Sequence, residues 1–408
     1  MGPVKVVPRL KPLPYSAQDL QSELRKPTLN KHTTLAAIEF YSNEDNPNNK
    51  RAFKYKPCRP NPAFQSLMYS TTDLPPFKCR LSYFDKSPGI LVNGGVTVAT
   101  TPQGWRSVRT NVVIREGSWY IEFRIIKSND GESNVRFGIA RREASLEAPV
   151  GFDGYGYGMR DKYGQTVHLS KQASFLESEE FKSGDVVGLL VKLPPIELQR
   201  QLARQQVLEK SVAEPQNPAP LNEKVGFDIV RDQIPIKYKG QLYFEQYDYS
   251  TSKEMEHLLN PVTVFGEKAV RDTVEFEPCK LPGSSITIYK NGEKKGVAFE
   301  NLYAFLPPSS EQKQGKETKS KFFVSNDDGS LGYYPMVSCY NRGIIELSDD
   351  SEVVVPEDLK AAVSAGEVKL YGQRYDERVL EEYVYDLVDE ATNQYLDELE
   401  KLAAVGNQ

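Results

Sequence analysis

The sequence is poor in the residues that enzymes use most for chemistry. Its 408 residues include three histidines, four cysteines and two tryptophans. The cysteines (Cys58, Cys79, Cys279 and Cys339) are far apart and form no CxxC pair, which argues against a zinc finger or a disulfide framework. The HExxH, GxSxG, GxxxxGK[ST] and dinucleotide-binding motifs are also missing. We therefore expect a protein that is not an enzyme and needs no cofactor or metal, although an enzyme with an unrecognised site remains an alternative.

Long apolar runs are missing as well, and the charges are segregated along the chain. No apolar stretch approaches the roughly 18–20 residues that span a bilayer, so we expect no membrane contact. The formal net charge is only −5. Residues 1–31 carry six Lys and Arg against two acids, residues 50–59 carry five bases and no acid, and residues 375–401 carry ten acids against two bases. The small net charge therefore results from a basic N-terminal region and an acidic C-terminal region that nearly cancel.

The pattern of apolar residues divides the chain into four parts. Residues 1–78 contain eleven prolines and little periodicity, which predicts an extended, basic, Pro-rich arm. Over 79–350, short alternating runs separated by Gly and Pro recur at roughly 8–12-residue spacing and predict an all-β, antiparallel β-sandwich. Residues 351–374 read as a linker, and residues 375–403 have helical periodicity.

Two polar insertions and one hairpin are expected within the sandwich. The insertions cover about 196–233, which opens with a helix candidate, and about 308–330. Both are predicted to be surface loops, because burying so much polar backbone would be costly. Asn291-Gly292 separates two apolar runs and is typical of a type I′ turn, whose two central residues need positive φ.

Several motifs in a fixed order resemble a known family. They are GWRSVR, IREGSWYIE, VRFGIA, EAPVGFDGYGYGMR, SGDVVGLLV, QLYFEQYDY, ITIYKNGEKKGVAF and GYYPMVSCY. The region they cover, roughly 80–350, resembles a SPRY (B30.2-like) domain. Together with the terminal helix it is similar to the SPRY-bearing, Ash-two-like or Bre-two subunit of COMPASS/MLL-type histone methyltransferase complexes.

The resemblance implies a basic pocket that grips an acidic segment of a WD40-repeat subunit. Arg136 and Arg160 would be the anion clamps, since guanidinium groups pair well with carboxylate or phosphate. Trp105, Pro149 and Phe152 would form the apolar walls. The family has a tyrosine where Phe152 stands, so the hydrogen bond of that hydroxyl is not expected here. The alternative is that both arginines make intramolecular salt bridges and the aromatic residues belong to the core.

The terminal helix carries an apolar stripe among its acidic residues. The resemblance implies that this stripe binds a dimer of the small Dpy-thirty-type subunit, as an amphipathic helix fills a groove. The alternative is that the helix packs on its own sandwich. The predicted contact residues are Leu380, Val384, Leu387, Val388 and Ala391.

The basic cluster at 50–59 interleaves cations with aromatic residues. This composition suits phosphate contact and predicts weak DNA binding, although a solvated loop or a nuclear-import signal would look the same. The predicted DNA contacts are Lys50, Arg51, Lys54, Lys56 and Arg59.

Together with these features, the resemblance implies a non-catalytic, nuclear scaffold subunit of a histone H3 lysine 4 methyltransferase (COMPASS) complex. Its expected partners are the WD40 subunit, the small dimer, the SET-domain subunit that holds the active site, and the nucleosome. The alternative is a SPRY substrate adaptor of a ubiquitin ligase, but no RING, B-box or SOCS-type segment is recognisable and the terminal helix would have no role in it.

Overall fold

The computed structural model describes residues 11–43, 53–177, 179–213, 229–231, 233–251, 255, 258, 278–312 and 326–406. Within these ranges strands dominate. In chain order they are β1 (Leu29–Leu35), β2 (Ile38–Asn43), β3 (Phe53–Pro60), β4 (Tyr69–Thr71), β5 (Leu81–Lys86), β6 (Leu91–Val92), β7 (Val98–Thr100), β8 (Arg106–Thr110), β9 (Gly117–Lys127), β10 (Asn134–Ala140), β11 (Gly156–Arg160), β12 (Gln165–His168), β13 (Lys171–Ser174), β14 (Val186–Leu193), β15 (Ile234–Tyr238), β16 (Gln241–Tyr247), β17 (Tyr249–Ser250), β18 (Ser285–Lys290), β19 (Glu293–Glu300), β20 (Glu311–Gln312), β21 (Tyr334–Tyr340), β22 (Ile344–Leu347) and β23 (Lys369–Leu370).

Helices are fewer and lie mainly in the insertion and at the C-terminal end. They are α1 (Ala17–Leu20), α2 (Ile196–Ala213), α3 (Lys360–Ser364) and α4 (Arg374–Gly406), with 3-10 turns at Lys162–Gly164, Glu357–Leu359 and Tyr371–Gln373. The predicted all-β class with a long C-terminal helix is confirmed, and α4 brackets the predicted 375–403 closely.

Two large sheets form the sandwich. The first has the order β1-β2-β6-β7-β22-β9-β14-β18-β19, with β23 pairing in parallel to β9, and the second has the order β13-β12-β11-β10-β21-β8-β5. Alternation along the central strands puts apolar side chains between the sheets. Phe123 of β9 and Phe137 of β10 meet there with ring centroids 6.3 Å apart, and both are fully buried.

The predicted hairpin is present between β18 and β19. Asn291 has φ 51° and Gly292 has φ 80°. Both values lie in the left-handed region that a type I′ turn requires, so this turn prediction is confirmed.

The N-terminal region differs from the extended arm that its prolines suggested. β1 and β2 form a hairpin that joins the edge of the first large sheet through β6. β3 lies between β16 and β4 in a separate four-stranded sheet with β15. The described part of 1–78 is therefore built into the fold, because its backbone hydrogen bonds are made with distant strands that proline content cannot reveal.

The predicted linker and insertions also pack more tightly than expected. In 351–374, Leu359 and Val368 are buried against Tyr120 and Tyr289 on the outer face of the first sheet. The helix candidate in 196–233 is α2, with Gln199 almost fully buried. The second insertion, about 308–330, lies partly outside the described residues, but its end is buried rather than exposed: Asp327 and Asp328 are 3% and 4% exposed. Ion pairing explains the burial of Asp327, since its carboxylate accepts a hydrogen bond from Arg115.

Candidate functional site

A row of polar side chains crosses the second sheet on one face. Arg136 of β10 lies directly opposite Arg160 of β11 and, on its other side, Ser338 of β21. Ser338 in turn lies opposite Ser107 of β8. Directly opposite residues of antiparallel strands project to the same face, so strand pairing alone brings together two arginines that the sequence separates.

The loop that carries Pro149 is fastened to this row. The Ser107 hydroxyl donates to the Ala148 carbonyl (2.7 Å), and the Val150 amide donates to the Ser338 hydroxyl (2.9 Å). The loop crosses the sheet over Gly158, where an added Cβ would lie 2.6 Å from the Val150 carbonyl oxygen. Only glycine leaves room for this crossing, so the APVGFD motif is held beside the arginines.

Arg136 is half-buried and forms no salt bridge with the described residues, although Asp161 attracts it from a distance. Its guanidinium lies over the Trp105 ring, 4.9 Å from the centroid, and Trp105 contacts Tyr340 at 5.4 Å between ring centroids. Among the described residues no carboxylate pairs with Arg136, and its buried Nε has no hydrogen-bond acceptor. Burial, and then the nearby Arg160, lower the pKa of Arg136 to about 10. A buried cation in this state is poised to gain from an incoming anion.

Arg160 is held in place by neutral groups. It donates to the side-chain oxygens of Gln165 (2.9 Å) and Gln172 (2.7 Å). Its guanidinium also lies 5.8 Å from the Tyr163 ring centroid. No carboxylate of the described chain pairs with it. The intramolecular salt bridges considered as the alternative are thus not found for either arginine.

The predicted apolar walls are partly assembled. Trp105 contacts Arg136, and Pro149 lies in the fastened loop. Phe152 follows in the same turn, donating its amide to the Pro149 carbonyl (3.0 Å), and its side chain is 42% exposed. Tyr340 and Gln172 also belong to this site and were not predicted. Tyr340 could have been found, because it lies two residues beyond Ser338 on the same face of β21.

The C-terminal helix α4 docks onto the body through its acidic face. Glu382, Asp386 and Glu390, spaced four residues apart, are 7%, 2% and 6% exposed. Arg231 donates to Glu382 (3.2 Å) and Asp386 (2.8 Å), and its Nε donates to Asp389 (2.8 Å). The spacing repeats about once per turn, so the carboxylates form one continuous docked face.

Backbone amides hold the next turn of the docked face. The Glu390 carboxylate accepts hydrogen bonds from the amides of Gln65 (2.8 Å), Ser66 (3.1 Å) and Leu67 (2.6 Å). Burial raises the pKa of Glu390, but hydrogen bonds from these amides lower it by a larger amount. The net effect is a lowered pKa. The N-terminal region therefore forms a cradle for α4.

The apolar stripe of α4 points the other way. Its members are more exposed than the acids of the docked face: Leu380 66%, Val384 53%, Leu387 44%, Val388 57%, and Ala391 also exposed. The usual arrangement, apolar side inward and polar side outward, is reversed. The helix thus packs on its own protein, as the alternative expected, but through its acidic face, and the stripe is left exposed.

The predicted basic cluster does not form one free surface. Lys54 donates to Asp85 (2.6 Å) and Lys56 is ion-paired with Glu382. Both lysines are paired with carboxylates of the protein itself, so neither presents a free cation, and their contact with DNA stays a prediction. Arg59 is exposed, and Lys50 and Arg51 lie outside the described residues.

Three further observations concern catalysis and membranes. Across the described ranges no group of three or more His, Cys, Asp or Glu side chains could hold a metal ion. His168 stacks on Tyr157 at 4.2 Å, and its Nδ1 lies 2.8 Å from the Gly156 carbonyl oxygen. No helix in the described part of the chain combines the length and apolarity of a membrane span.

Comparison with known proteins places the chain. No protein-family model matches it. The Set1 complex component ash2 of Schizosaccharomyces pombe is 35% identical over 389 residues, covering 95% of this chain and 52% of that protein. COMPASS component BRE2 of Saccharomyces cerevisiae is 30% identical, covering 87% of this chain and 89% of that protein. The chain belongs to this family of Set1-complex (COMPASS) components.

The match differs in extent from one relative to another. The chain spans about half the length of fission yeast ash2 and 60% of COMPASS component cclA of Emericella nidulans, to which it is 36% identical over 86% of its own residues. The solved SPRY domain of human HERC1 aligns with 67% of this chain and 99% of that domain, at 13% identity and a TM-score of 0.33.

Proposed function

We propose that the chain is a non-catalytic, nuclear subunit of a histone H3 lysine 4 methyltransferase complex. Its membership of the Set1-complex family supports this role. The SET-domain subunit would supply the active site and the methyl donor, and the nucleosome would be the substrate. This chain would act by holding its partners in position.

The surface around Arg136 and Arg160 is proposed to bind an acidic segment of the WD40 subunit. The observation that carries the proposal is the half-buried guanidinium of Arg136, whose buried Nε has no hydrogen-bond acceptor and which forms no salt bridge within the described chain, although Asp161 attracts it from a distance. An acidic side chain seated there would gain charge-assisted hydrogen bonds that water provides poorly at a buried site. Trp105, Pro149 and Phe152 would cover the rest of the segment.

The apolar stripe of α4 is proposed to bind the Dpy-thirty-type dimer. Leu380, Val384, Leu387, Val388 and Ala391 would enter a groove between helices of that dimer. Covering apolar surface contributes about 25 cal/mol per Å² before ordering costs. The docked acidic face reduces those costs, because α4 is already helical and already oriented when the partner arrives.

The mechanism that follows is conformational. A subunit that grips the WD40 partner and the small dimer at separate surfaces would fix the SET domain in a productive geometry. The rate of methyl transfer would then depend on this chain, although it donates no reacting group.

Reconstitution tests the role as a whole. Adding the chain to a purified SET–WD40 core should raise the rate of labelled methyl transfer to histone H3, and the chain alone should transfer none. A core whose rate does not respond to the chain would contradict the proposal, as would transfer by the chain on its own.

A single substitution separates the two surfaces. Leu387→Glu places an unpaired charge in the apolar groove and should abolish capture of the small dimer while leaving WD40 binding intact. Val354→Glu is the matched control, because Val354 is 74% exposed and lies outside α4. Retention of the dimer by Leu387→Glu would show that the stripe is not the docking element.

A further inference from the structure

A large cavity lies where the first turns of α4 meet the body. Its volume is about 640 Å³, and its walls come from β3, from residues 70–74, from β5 and from α4. Cavities of this size at the junction of structural units are the usual places for ligands or for side chains of a partner.

Several charged side chains in its wall are paired with one another. Lys54 is bound to Asp85 (2.6 Å), and Arg80 donates to Asp73 (2.8 Å). Lys56 is paired with Glu382 in the same way. Arg142, which also lines the cavity, donates to the Ser330 hydroxyl (3.0 Å), and its buried Nε has no hydrogen-bond acceptor. The wall therefore holds both paired and unpaired charge, and it is the rim that favours an apolar occupant.

The rim of the cavity is apolar and exposed. Phe77 from the N-terminal region is 58% exposed, and Val379 and Tyr383 of α4 are 51% and 53% exposed. All three line the same cavity. Large apolar side chains grouped around a concave opening are typical of a protein-binding surface.

This rim is continuous with the stripe of α4. Val379 and Tyr383 immediately precede Leu380 and Val384, two residues of the stripe. At 3.6 residues per turn, Tyr383 falls between the docked acidic face and the exposed stripe. A protein that covers Leu380 and Val384 therefore reaches the cavity rim without leaving the helix.

We infer that the partner of α4 also inserts apolar side chains into this cavity and contacts Phe77. The inference rests on the proposed function of the stripe and extends it to the body of the protein. The interface would then include the N-terminal region as well as the helix, and Phe77 would help to select the partner. Because the contact is apolar, its contribution should not fall as salt increases.

Calorimetric titration of the full chain with the purified small dimer tests the inference. Phe77→Ala should weaken binding about tenfold, as removal of an aromatic contact at an interface commonly does. The matched control is Val297→Ala, since Val297 is 46% exposed on the edge strand β19, and this change should leave the affinity unaltered. Equal unfolding midpoints in urea would show that both variants fold.

The outcomes separate the inference from the proposed function. Wild-type affinity for Phe77→Ala, with binding abolished by Leu387→Glu, would overturn the inference and leave the function of the stripe intact. Equal weakening by Phe77→Ala and Val297→Ala would also overturn it. Wild-type affinity for Leu387→Glu would refute the function and the inference together.

Hydrogen exchange of the complex provides a second measurement that needs no substitution. Binding of the dimer should slow exchange in peptides that cover residues 70–80 as well as in those of α4. Slowing confined to α4 would contradict a contact with the body.

Discussion

Arg136 is half-buried and Arg231 is buried, and the two arginines differ in their ion pairing. The Arg231 side chain is fully buried and paired with Glu382, Asp386 and Asp389. Burial lowers the pKa of Arg231, but the three carboxylates raise it by a larger amount. The net effect is a raised pKa. For Arg136, burial and the nearby Arg160 outweigh the attraction of Asp161, which forms no salt bridge with it, and the pKa is lowered to about 10.

The difference separates two uses of one residue type. Arg231 is compensated within the chain and fastens α4 to the body. Arg136 forms no salt bridge within the described chain, and under the proposed function a bound anion would supply the missing partner. Substitutions at the two arginines test whether this difference in ion pairing separates a binding group from a structural one.

Removal of Arg231 should have the largest effect. Arg231→Met leaves the buried Asp386 and its neighbours without their cation and should reduce the free energy of unfolding by about 3–5 kcal/mol. Urea unfolding followed by circular dichroism would measure it. A loss below about 1 kcal/mol would show that the cluster is not what holds α4.

The loss of unfolding free energy at low pH should depend on Glu382. Burial raises the pKa of Glu382, but the attraction of Arg378, Lys56 and Arg231 outweighs burial and lowers the pKa to about 2. Because the folded pKa lies below the unfolded one, the stabilisation is present above about pH 4.5 and is lost as the pH falls toward 2. This group should account for about 3 kcal/mol of the loss.

Comparison with a glutamine variant isolates that contribution. Glu382→Gln should flatten the decline of unfolding free energy between about pH 5 and 2, whereas Glu398→Gln, at an exposed position of α4, should leave it unchanged. If the free energy of unfolding fell equally with pH in the wild type, Glu382→Gln and Glu398→Gln, Glu382 would not be the group responsible.

The same substitution at the other arginine should barely change stability. Arg136→Met removes an uncompensated charge, so the free energy of unfolding should stay constant or rise by up to about 1 kcal/mol, since the site is partly open to solvent. Urea unfolding beside Arg231→Met gives the contrast directly. A large loss for Arg136→Met would make this arginine structural as well.

The smallest effect is expected in the basic cluster. Arg59→Ala should lower the salt slope of nucleosome binding by at most about 0.9, the value for one phosphate contact. Lys54→Met should leave the slope unchanged, because Lys54 is bound to Asp85. Binding assays across a salt series measure both slopes. An equal reduction of the slope by Arg59→Ala and Lys54→Met would show that Lys54 contacts DNA.

Local patterns were sufficient to predict the sandwich, the β18–β19 turn and α4. Each follows from residues near one another in sequence: alternation in the strands, Asn291-Gly292 in the turn, and helical spacing in the acidic tail. Arg136 and Arg160 were singled out by family resemblance, and strand pairing brings them side by side.

The features that were not predicted depend on contacts across the chain. The docking of the α4 acids was not predicted because their partners are remote in sequence. These partners are Lys56 for Glu382 and the amides of Gln65 and Ser66 for Glu390. The prolines of the first 78 residues concealed β1 to β4, whose pairing with other strands has no local signal. Ion pairing of Lys54 and Lys56 was hidden for the same reason.

The most direct test of the central claim is the affinity of Arg136→Met for the purified WD40 subunit, measured by titration calorimetry beside the Arg160→Met variant and the wild type. Each change should weaken binding by about 1.5–3 kcal/mol, roughly 10- to 150-fold, while the variants remain folded. Wild-type affinity for the folded Arg136→Met protein would contradict the claim that its uncompensated guanidinium is the anion-binding group.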